Sequence, residues 1–395
     1  MHFDRRSLFG AAAAVAAVAK STIGSRSAEA KLPSNDVEPR GSTGRLERLP
    51  TLALEANDEF LTSFRIWVNT KLSKAAEERY VAITKEKGID PKANMPVAEA
   101  AKIYAEDPVI ATRNHAWLHA QLLMWKNLRR EFHGNYDAYM AEMEAADKSG
   151  PGTLELNPDM VIPEYTKHEI HIQPGGYVGD PFAGHMYHYG TNNFYSGRNY
   201  QDDLHMKYAS NVPVPKDGKV RRILDMGCGV GQLSVSLKQR FPNAEVWGID
   251  IGAPMVRYGH MRAVDMGTEV NFAQRLAEET KFPDNHFDIV TSYILHHEVT
   301  AEASRKIIAE AHRLTRAGGV YYPIDFNTAG MRRTEGPYSE LRGWMSHRWN
   351  HERWVREYDT VDFKTEFAKV GFEVSDGPKS GFGGDRPNIL GTKKA

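Results

Sequence analysis

Residues 222–234 read RILDMGCGVGQLS, an apolar run that ends in an acidic residue and continues into three glycines at alternate positions. The acidic residue is Asp225, and the glycines are Gly227, Gly229 and Gly231. Glycine is needed where the backbone turns tightly, or where a ligand comes so close that a Cβ atom would collide with it. The stretch therefore predicts a strand, a ligand-binding turn and the start of a helix.

The residues after this stretch alternate between short β-type runs and helical runs. The predicted strands are 220–226, 245–249, 270–273, 287–294, 319–325 and 388–391, and the predicted helices are 233–240, 255–264, 301–315 and 363–370. Such alternation is typical of a doubly wound sheet with helices on both faces. The sequence thus predicts an α/β, Rossmann-like domain.

The order of these motifs resembles that of class I S-adenosylmethionine (SAM)-dependent methyltransferases, in particular those that act on small molecules. Their first motif has the G-x-G-x-G spacing found here, whereas a dinucleotide site more usually shows G-x-G-x-x-G. The resemblance covers about residues 200–395 and implies a SAM-binding sheet with SAM as the cofactor. An acidic residue such as Asp225 near the loop suits SAM, because this cofactor carries a cationic ammonium and a sulfonium group.

The same resemblance implies further cofactor-binding residues. Asp250 ends the second predicted strand of the domain, where a carboxylate accepts hydrogen bonds from both ribose hydroxyls. Ile251 corresponds to an apolar residue beside the cofactor, and Ala277 and Glu278 are candidates for the adenine edge, with the choice between them open. The alternative for Asp250 is a simple turn residue at the strand end.

Two histidines, His296 and His297, follow the predicted strand 287–294, in the loop that lies nearest the methyl group in the family. Methyl transfer from a sulfonium is an in-line displacement, so the protein mainly aligns the acceptor and removes a proton where the acceptor has one to lose. Either histidine is a candidate general base, and His296 is slightly favoured because it directly follows Leu295. The alternative is that both histidines shape the pocket.

A segment rich in Tyr and His precedes the domain, and in the family this part of the chain closes over SAM and the acceptor. Tyr187, Tyr189 and Tyr195 are therefore candidate lid residues, against the alternative of a loop packed on the sheet. The histidines of this segment lack H-x-x-x-H or H-E-x-x-H spacing, and the chain contains one cysteine, Cys228. The sequence therefore predicts no metal site.

The chain divides into parts of different composition. The predicted parts are a signal peptide at 1–30, a linker at 31–50, a helical domain at 51–150, an irregular Tyr/His-rich lid segment at 151–215, and the SAM-binding domain at 216–395 with a substrate-capping insertion at 327–359. Apolar residues at three- and four-residue spacing predict the helices. Pro91, Pro96 and Pro108 separate these helices from one another.

The first thirty residues have the layout of a twin-arginine signal peptide. Arg5 and Arg6 precede an Ala/Val-rich run, and the small residues Ala28 and Ala30 follow it. The apolar run is about ten residues long, which is too short to span a bilayer as a helix. We therefore expect a periplasmic protein, with the cytoplasm as the alternative because SAM is made there.

The composition of the chain limits the kinds of partner that we expect it to bind. Apolar residues make up 41% of the chain, and 50 basic against 51 acidic residues leave a net charge of -1. This balance provides no electrostatic reason to bind nucleic acid. We expect a small-molecule acceptor, no nucleic-acid partner and no integral membrane span, with the helical part acting as a cap or joining two copies in a homodimer.

The expected function is SAM-dependent methyl transfer to a small molecule, with the nature of the accepting atom (O, N or C) open. The acceptor is expected between the helical and lid segments and the carboxyl edge of the sheet. One alternative is a non-catalytic protein of the same fold that binds or scaffolds. A second alternative is an NAD-dependent Rossmann oxidoreductase.

Overall fold

Eight strands build the centre of the protein. In chain order they are β1 (Leu154–Glu155), β2 (Arg222–Met226), β3 (Glu245–Asp250), β4 (Asn271–Gln274), β5 (Phe287–Tyr293), β6 (Thr315–Ile324), β7 (Phe372–Gly381) and β8 (Gly384–Lys393). They form one sheet in the order β1-β4-β3-β2-β5-β6-β8-β7. Strands β1 to β6 pair in parallel, whereas β8 runs antiparallel to both β6 and β7.

The computed structural model describes residues 52–326, 328, 336–381 and 384–394. The predicted signal peptide and linker lie outside these residues, as do 327 and 329–335 of the predicted capping insertion. None of the helices in the described ranges has the length and apolar character needed to cross a membrane.

Helices pack on the sheet, and further helices form the N-terminal part of the protein. In chain order they are α1 (Leu52–Trp67), α2 (Ser73–Glu86), α3 (Val97–Tyr104), α4 (Pro108–Gly134), α5 (Tyr136–Ala146), α6 (Ala183–Phe194), α7 (Asp203–Asn211), α8 (Gln232–Arg240), α9 (Ala253–Asp265), α10 (Ala301–Leu314), α11 (Pro337–Trp349), α12 (Val355–Tyr358) and α13 (Phe363–Val370). The predicted α/β, Rossmann-like fold with an N-terminal mainly helical part is confirmed.

The central strands are buried on both faces, and every residue of β5 is buried. On one face, Leu224 of β2 belongs to a core shared with Ile307 of α10 and Phe367 of α13. On the other face, Ile223 packs in a core with Leu233 of α8. Because side chains alternate along a strand, β2 needs helices on both sides, which accounts for its almost continuous apolar sequence.

The long helix α4 carries the N-terminal helices onto the sheet. Asp107 caps its start, because the Oδ1 atom accepts hydrogen bonds from the backbone N–H groups of Val109 (3.0 Å) and Ile110 (3.2 Å), and Pro108 occupies the first helical position. Further along α4, Trp125 shares a buried core with Tyr258 of α9. The helical part and the sheet are therefore joined by a common core.

The Tyr/His-rich segment departs from the sequence prediction. The pattern predicts irregular structure over 151–215, but 183–194 and 203–211 form helices α6 and α7, so the prediction is wrong for these two stretches. Nearly every residue of α6 is buried, and a helix buried all round shows no amphipathic period. A Cβ atom on Gly190 would lie 2.2 Å from the ring of Trp125, which shows how closely α6 approaches α4.

Strand β7 is a second difference between the sequence prediction and the structure. The sequence pattern predicts one strand at 388–391 after the last helix, whereas the structure has an antiparallel pair, β7 and β8. Strand β7 lies at the edge of the sheet and contains Asp376 and Lys379. Polar residues are typical of edge strands, where they discourage pairing with other chains, and they make such a strand look like a loop.

Candidate active site

The strand order of the sheet changes direction at β2. Strand β3 lies on one side of β2 and β5 lies on the other, so the crossovers run to opposite sides of this point. In open α/β sheets, ligands bind in the crevice outside the carboxyl ends of the strands at such a switch point. The glycine loop after β2, the end of β3 and the loop after β5 all meet there.

The three glycines of the loop have left-handed φ angles of 67°, 54° and 72° in chain order. A Cβ atom on Gly227 would lie 2.6 Å from Leu295, and one on Gly231 would lie 2.4 Å from Phe272. At Gly229 the nearest atom would be 3.7 Å away. Packing therefore explains the outer two glycines, whereas a Cβ atom on Gly229 would make only ordinary van der Waals contact with Met255 and Tyr187.

Asp250 at the end of β3 faces this tip. Its Oδ2 atom accepts a hydrogen bond from the Gly229 N–H (3.0 Å), and its Oδ1 atom accepts one from the Gly252 N–H (2.8 Å). Burial raises the pKa of Asp250, and the backbone N–H groups oppose that shift. Each carboxylate oxygen has further acceptor capacity, so this side chain could also hold a diol. Ile251 follows it and is half-buried.

Asp225 lies fully buried beneath the loop. Its Oδ2 atom accepts a hydrogen bond from the Ser234 hydroxyl (2.6 Å), whereas no group in the described part of the chain donates to its Oδ1 atom. Burial raises the pKa of Asp225 to about 7, against the effect of the Ser234 hydrogen bond. A buried acceptor without a donor is costly unless a ligand or water satisfies it.

Among the lid candidates, Tyr187 lies over the glycine loop. Its ring comes within 3.8 Å of the position that a Cβ atom of Gly229 would occupy, and it packs edge-on against Tyr177 with a centroid separation of 5.3 Å. The backbone of Tyr177 in turn approaches Gly252, where a Cβ atom would lie 2.6 Å from the Tyr177 carbonyl oxygen. These two tyrosines therefore cover the ends of β2 and β3.

The other two lid candidates have different contacts. Tyr189 is buried in the helical core beside Phe132, with ring centroids 5.7 Å apart. The Tyr195 hydroxyl is hydrogen-bonded to the Tyr293 hydroxyl at the end of β5 (3.1 Å). Tyr189 therefore packs in the helical core, whereas Tyr195 contacts the end of β5.

The residues considered for the adenine edge lie in the loop after β4. Glu278 accepts a hydrogen bond from the Tyr165 hydroxyl, and burial raises the pKa of Glu278 against the effect of this bond. Ala277 packs against the apolar core on the α10 face of the sheet. The segment between β1 and α6 therefore reaches this loop through Tyr165.

The two histidines of the loop after β5 have different surroundings. His296 is fully buried, with Nδ1 2.7 Å from the Ser304 hydroxyl and Nε2 2.6 Å from the Tyr321 hydroxyl. Burial lowers the pKa of His296 to about 4. Because both ring nitrogens are bonded between α10 and β6, the structure places His296 in the core.

His297 faces carboxylates instead. Its Nδ1 atom lies 2.6 Å from Asp325 Oδ1, and its Nε2 atom lies 3.5 Å from Glu298 Oε1. Burial alone would lower the pKa of His297, but Asp325 and Glu298 outweigh burial and hold it well above its usual range. Of the two histidines, His297 is therefore the one that pairs with carboxylates at the carboxyl edge of the sheet.

A third histidine, His171, also pairs with carboxylates here, and the sequence pattern did not predict it as a site residue. His171 Nε2 lies 3.3 Å from Glu298 Oε1, and His171 Nδ1 lies 3.0 Å from Glu352 Oε1. Burial lowers the pKa of His171, but the two carboxylates outweigh burial and raise it to about 10. No spacing rule could have found this cluster, because its members come from three distant parts of the chain.

Residues 223–319 match a family model described as a methyltransferase domain. This range starts within β2 and ends within β6, so it contains the glycine loop, Asp250 and both histidines of the exit loop. The predicted class of domain, that of SAM-dependent methyltransferases, is confirmed for these residues.

Two curated relatives match the same part of the chain. The demethylmenaquinone methyltransferase of Thermus thermophilus is 36% identical over 107 residues, which are 27% of this chain and 47% of that protein. A ubiquinone/menaquinone biosynthesis C-methyltransferase of Burkholderia orbicola is 35% identical over 108 residues, which are 27% of this chain and 43% of that protein. The chain thus spans less than half the length of these relatives.

Solved structures also resemble the chain. One is a putative O-methyltransferase from Nostoc punctiforme, with a TM-score of 0.41 and 13% identity over 69% of this chain and 72% of that one. Another is a phosphoethanolamine N-methyltransferase from Haemonchus contortus bound to SAM, with a TM-score of 0.35 and 15% identity over 52% of this chain and 60% of that one. At these TM-scores the likeness adds nothing to what the strand order already shows.

Proposed function

We propose that this protein transfers a methyl group from SAM to a small-molecule acceptor. The observation that carries the proposal is the hydrogen bond from the Gly229 N–H to Asp250 at the switch point of the sheet, beneath the ring of Tyr187. This arrangement brings a glycine backbone and a carboxylate together under an aromatic cover, in a domain of methyltransferase type. A cofactor with a ribose and an adjoining cation suits such a crevice.

The side chains around the crevice fit SAM. Asp250 would accept hydrogen bonds from the ribose hydroxyls, Gly229 would let the cofactor approach the backbone, and the orphaned Oδ1 atom of Asp225 offers an acceptor below the loop. SAM supplies an electrophilic methyl group on a sulfonium, so the protein has to bind, orient and exclude water. Tyr177 and Tyr187 would exclude water from the crevice.

Of the two candidate catalytic histidines, the geometry favours His297. Asp325 orients its ring through Nδ1, which leaves Nε2 for contact with the acceptor or with Glu298. His296 has a hydroxyl partner on each ring nitrogen and therefore no free atom to offer. In this proposal His297, kept protonated by Asp325 and Glu298, orients the acceptor by donating a hydrogen bond from Nε2, and His296 holds the exit loop against α10 and β6.

Calorimetry with SAM and with NADH tests the cofactor. We expect SAM to bind and NADH not to bind, and Asp250→Ala to weaken SAM binding by at least about tenfold, since it removes a charge-assisted hydrogen bond. Glu269→Ala is the matched control, because Glu269 is an exposed acid paired with Lys238 on the surface. NADH binding, or wild-type SAM affinity in Asp250→Ala, would contradict the proposal.

Turnover separates an enzyme from a non-catalytic SAM-binding protein. The two curated relatives are named for steps of quinone biosynthesis, so a panel of acceptors read with labelled SAM should begin with demethylmenaquinone and simpler phenols, and continue with amines. Transfer of label to one acceptor class, lost in His297→Gln while SAM still binds, supports the proposal. SAM binding without transfer to any acceptor would favour the non-catalytic alternative.

A further inference from the structure

A compact group of potential metal ligands lies beside the candidate site. One ring nitrogen of His171 and one carboxylate oxygen each of Glu298 and Glu352 all fall within 4.8 Å of one another. Among the described residues, these are the only three His, Cys, Asp or Glu side chains that converge in this way. His171 precedes α6, Glu298 follows β5, and Glu352 follows α11, so folding brings together three separate segments.

The surroundings hold these side chains in place. The His171 carbonyl oxygen accepts hydrogen bonds from Gln121 Nε2 (2.7 Å) and Trp125 Nε1 (2.8 Å), and Asn350 Nδ2 donates to Glu352 Oε1 (3.1 Å). His171 itself has a φ of 53°, a left-handed conformation that costs a non-glycine residue free energy unless neighbours stabilise it. Contacts from α4 thus hold the backbone of His171 in this conformation.

Two carboxylate oxygens of the cluster lack a donor among the described residues, although His171 and His297 pair with the other oxygen of these glutamates. The side chains of Glu298 and Glu352 are 11% and 12% exposed. Their Oε2 atoms are buried, and within the described residues no donor reaches either of them. The ion pairs formed there by these two glutamates involve histidines and no Lys or Arg. Buried carboxylate oxygens without partners are costly, and a cation would remove that cost.

We propose that His171, Glu298 and Glu352 bind one divalent transition-metal ion. An imidazole together with two carboxylates suits Zn²⁺ or Mn²⁺, whereas Mg²⁺ and Ca²⁺ prefer oxygen ligands throughout. Glu298 faces Nε2 of His171 and Glu352 faces Nδ1, so ligand distances of about 2.0–2.2 Å require one glutamate to swing toward the ring nitrogen that binds the ion. Three protein ligands leave coordination positions open for water or a bound molecule.

The position of the cluster indicates what an open coordination site would face. Glu298 directly follows His297 in the loop after β5, and its backbone N–H donates to the carbonyl oxygen of Leu295, whose side chain packs against Gly227 of the glycine loop. The metal would therefore lie at the same edge of the sheet as the cofactor crevice, where an oxygen of the acceptor could bind it. This role for the acceptor rests on the proposed methyl transfer, whereas metal binding itself does not.

The sequence prediction of no metal site relied on the spacing of histidines within one segment, and it could not detect ligands contributed by three separate segments.

The experiment starts from the full chain stripped with EDTA and dialysed against ZnCl₂, MnCl₂ or MgCl₂, with the bound metal measured by mass spectrometry. We expect one equivalent of Zn²⁺ or Mn²⁺ per chain, and weaker uptake of Mg²⁺. Glu352→Gln, which keeps the shape and removes the charge, should lower the metal affinity at least about tenfold.

His119→Asn is the matched control. His115 and His119 lie one turn apart on the exposed side of α4, a spacing that picks up metal adventitiously, so the control should bind metal like the wild type. SAM binding measured on each variant reports folding and keeps failure of the methyltransferase proposal separate from failure of this one. No uptake by the wild type, equal affinity in Glu352→Gln, or loss of uptake in His119→Asn would each overturn the inference.

The unfolding temperature of the stripped proteins gives an independent measurement. If the site is built for a metal, the metal-free protein keeps the Oε2 atom of Glu352 buried without a donor among the described residues, so Glu352→Gln should cost the metal-free protein little stability despite the lost pairing with His171. Added Zn²⁺ should then raise the unfolding temperature of the wild type and not that of the variant. A less stable metal-free variant combined with no metal effect on the wild type would identify the cluster as an ion pair centred on His171.

Discussion

Gly229 donates its backbone N–H to the Oδ2 atom of Asp250 across 3.0 Å, and this hydrogen bond ties the loop after β2 to the end of β3. The φ of Gly229 is 54°, and the space where a Cβ atom would lie contains no heavy atom within 3.7 Å. The neighbouring glycines are held against other side chains, so Gly229 is the position of the loop that a ligand can approach.

Gly229→Ala should therefore weaken SAM binding more than it weakens the fold. The left-handed backbone costs alanine about 1–2 kcal/mol, and in the proposed function the methyl group would stand between the loop and the cofactor, so we expect at least about a tenfold loss of SAM affinity. Calorimetry and urea unfolding of the same samples measure the two effects.

Gly218→Ala is the control for this change. Gly218 has a φ of 69°, and no atom lies within 4 Å of the position that a Cβ atom would take there, so it carries similar backbone strain at a distance from the crevice. It should lose similar stability and keep full SAM affinity. Equal losses of SAM affinity in the two variants would show that the loop has no close contact with the cofactor.

Asp225 makes the stability of the ligand-free protein depend on pH. Burial raises its folded pKa from 3.8 to about 7, so between these values the folded state keeps a proton that the unfolded state releases, and stability falls as pH rises through this window. Asp225→Asn removes the ionisation. At pH 8 the variant should be more stable than the wild type, by on the order of a few kcal/mol at most. This advantage should be smaller at pH 4.

Urea unfolding at both pH values without SAM measures this difference. Asp217→Asn is the matched control, because Asp217 is exposed and its pKa is lowered by the Lys219 N–H and by Arg316, so it should show no gain at high pH. A constant difference between Asp225→Asn and the wild type across the range would contradict the burial of an ionisable carboxyl under the loop.

His296→Ala should destabilise the fold by about 2–4 kcal/mol, because it leaves a cavity and two hydroxyls without their partner. Tyr321→Phe removes one of the same hydrogen bonds and should cost less. The double variant should show that the two effects are not additive. If His296→Ala unfolds like the wild type and instead abolishes turnover, His296 is catalytic and the core role assigned to it is wrong.

Export is predicted from residues outside the described ranges. Replacing both Arg5 and Arg6 by lysine should keep the protein in the cytoplasm, because the twin-arginine route reads the paired arginines as an address. Cell fractionation with an antibody against the mature chain measures this, and an Arg129→Lys variant of the folded part serves as the control. Equal periplasmic amounts in the wild type and the double variant would contradict the signal assignment.

Several features could be predicted because their evidence is local in the chain. The spacing of Gly227, Gly229 and Gly231 after an apolar strand, with Asp250 at the end of the next one, predicted the α/β sheet and the crevice at its edge. Helix α6 escaped prediction because burial all round removes the amphipathic period, and β7 escaped because the residues of an edge strand look like those of a loop.

The roles of the histidines could not be read from the sequence. His296 and His297 are neighbours, and the order of residues slightly favours the first as the base, yet the structure directs its ring into the core and the ring of His297 toward Asp325. Side-chain direction after a strand depends on the local backbone, and no pattern of residue types encodes it.

The type of fold, the glycine loop and the acids beside it follow from periodicity and spacing, because those signals act over a few residues. The meeting of His171 with Glu298 and Glu352, the cover of Tyr187 over Gly229 and the buried place of His296 arose only when distant segments packed together. Contacts between residues far apart in the chain depend on how whole helices and strands pack, and a single sequence carries no local mark of that packing.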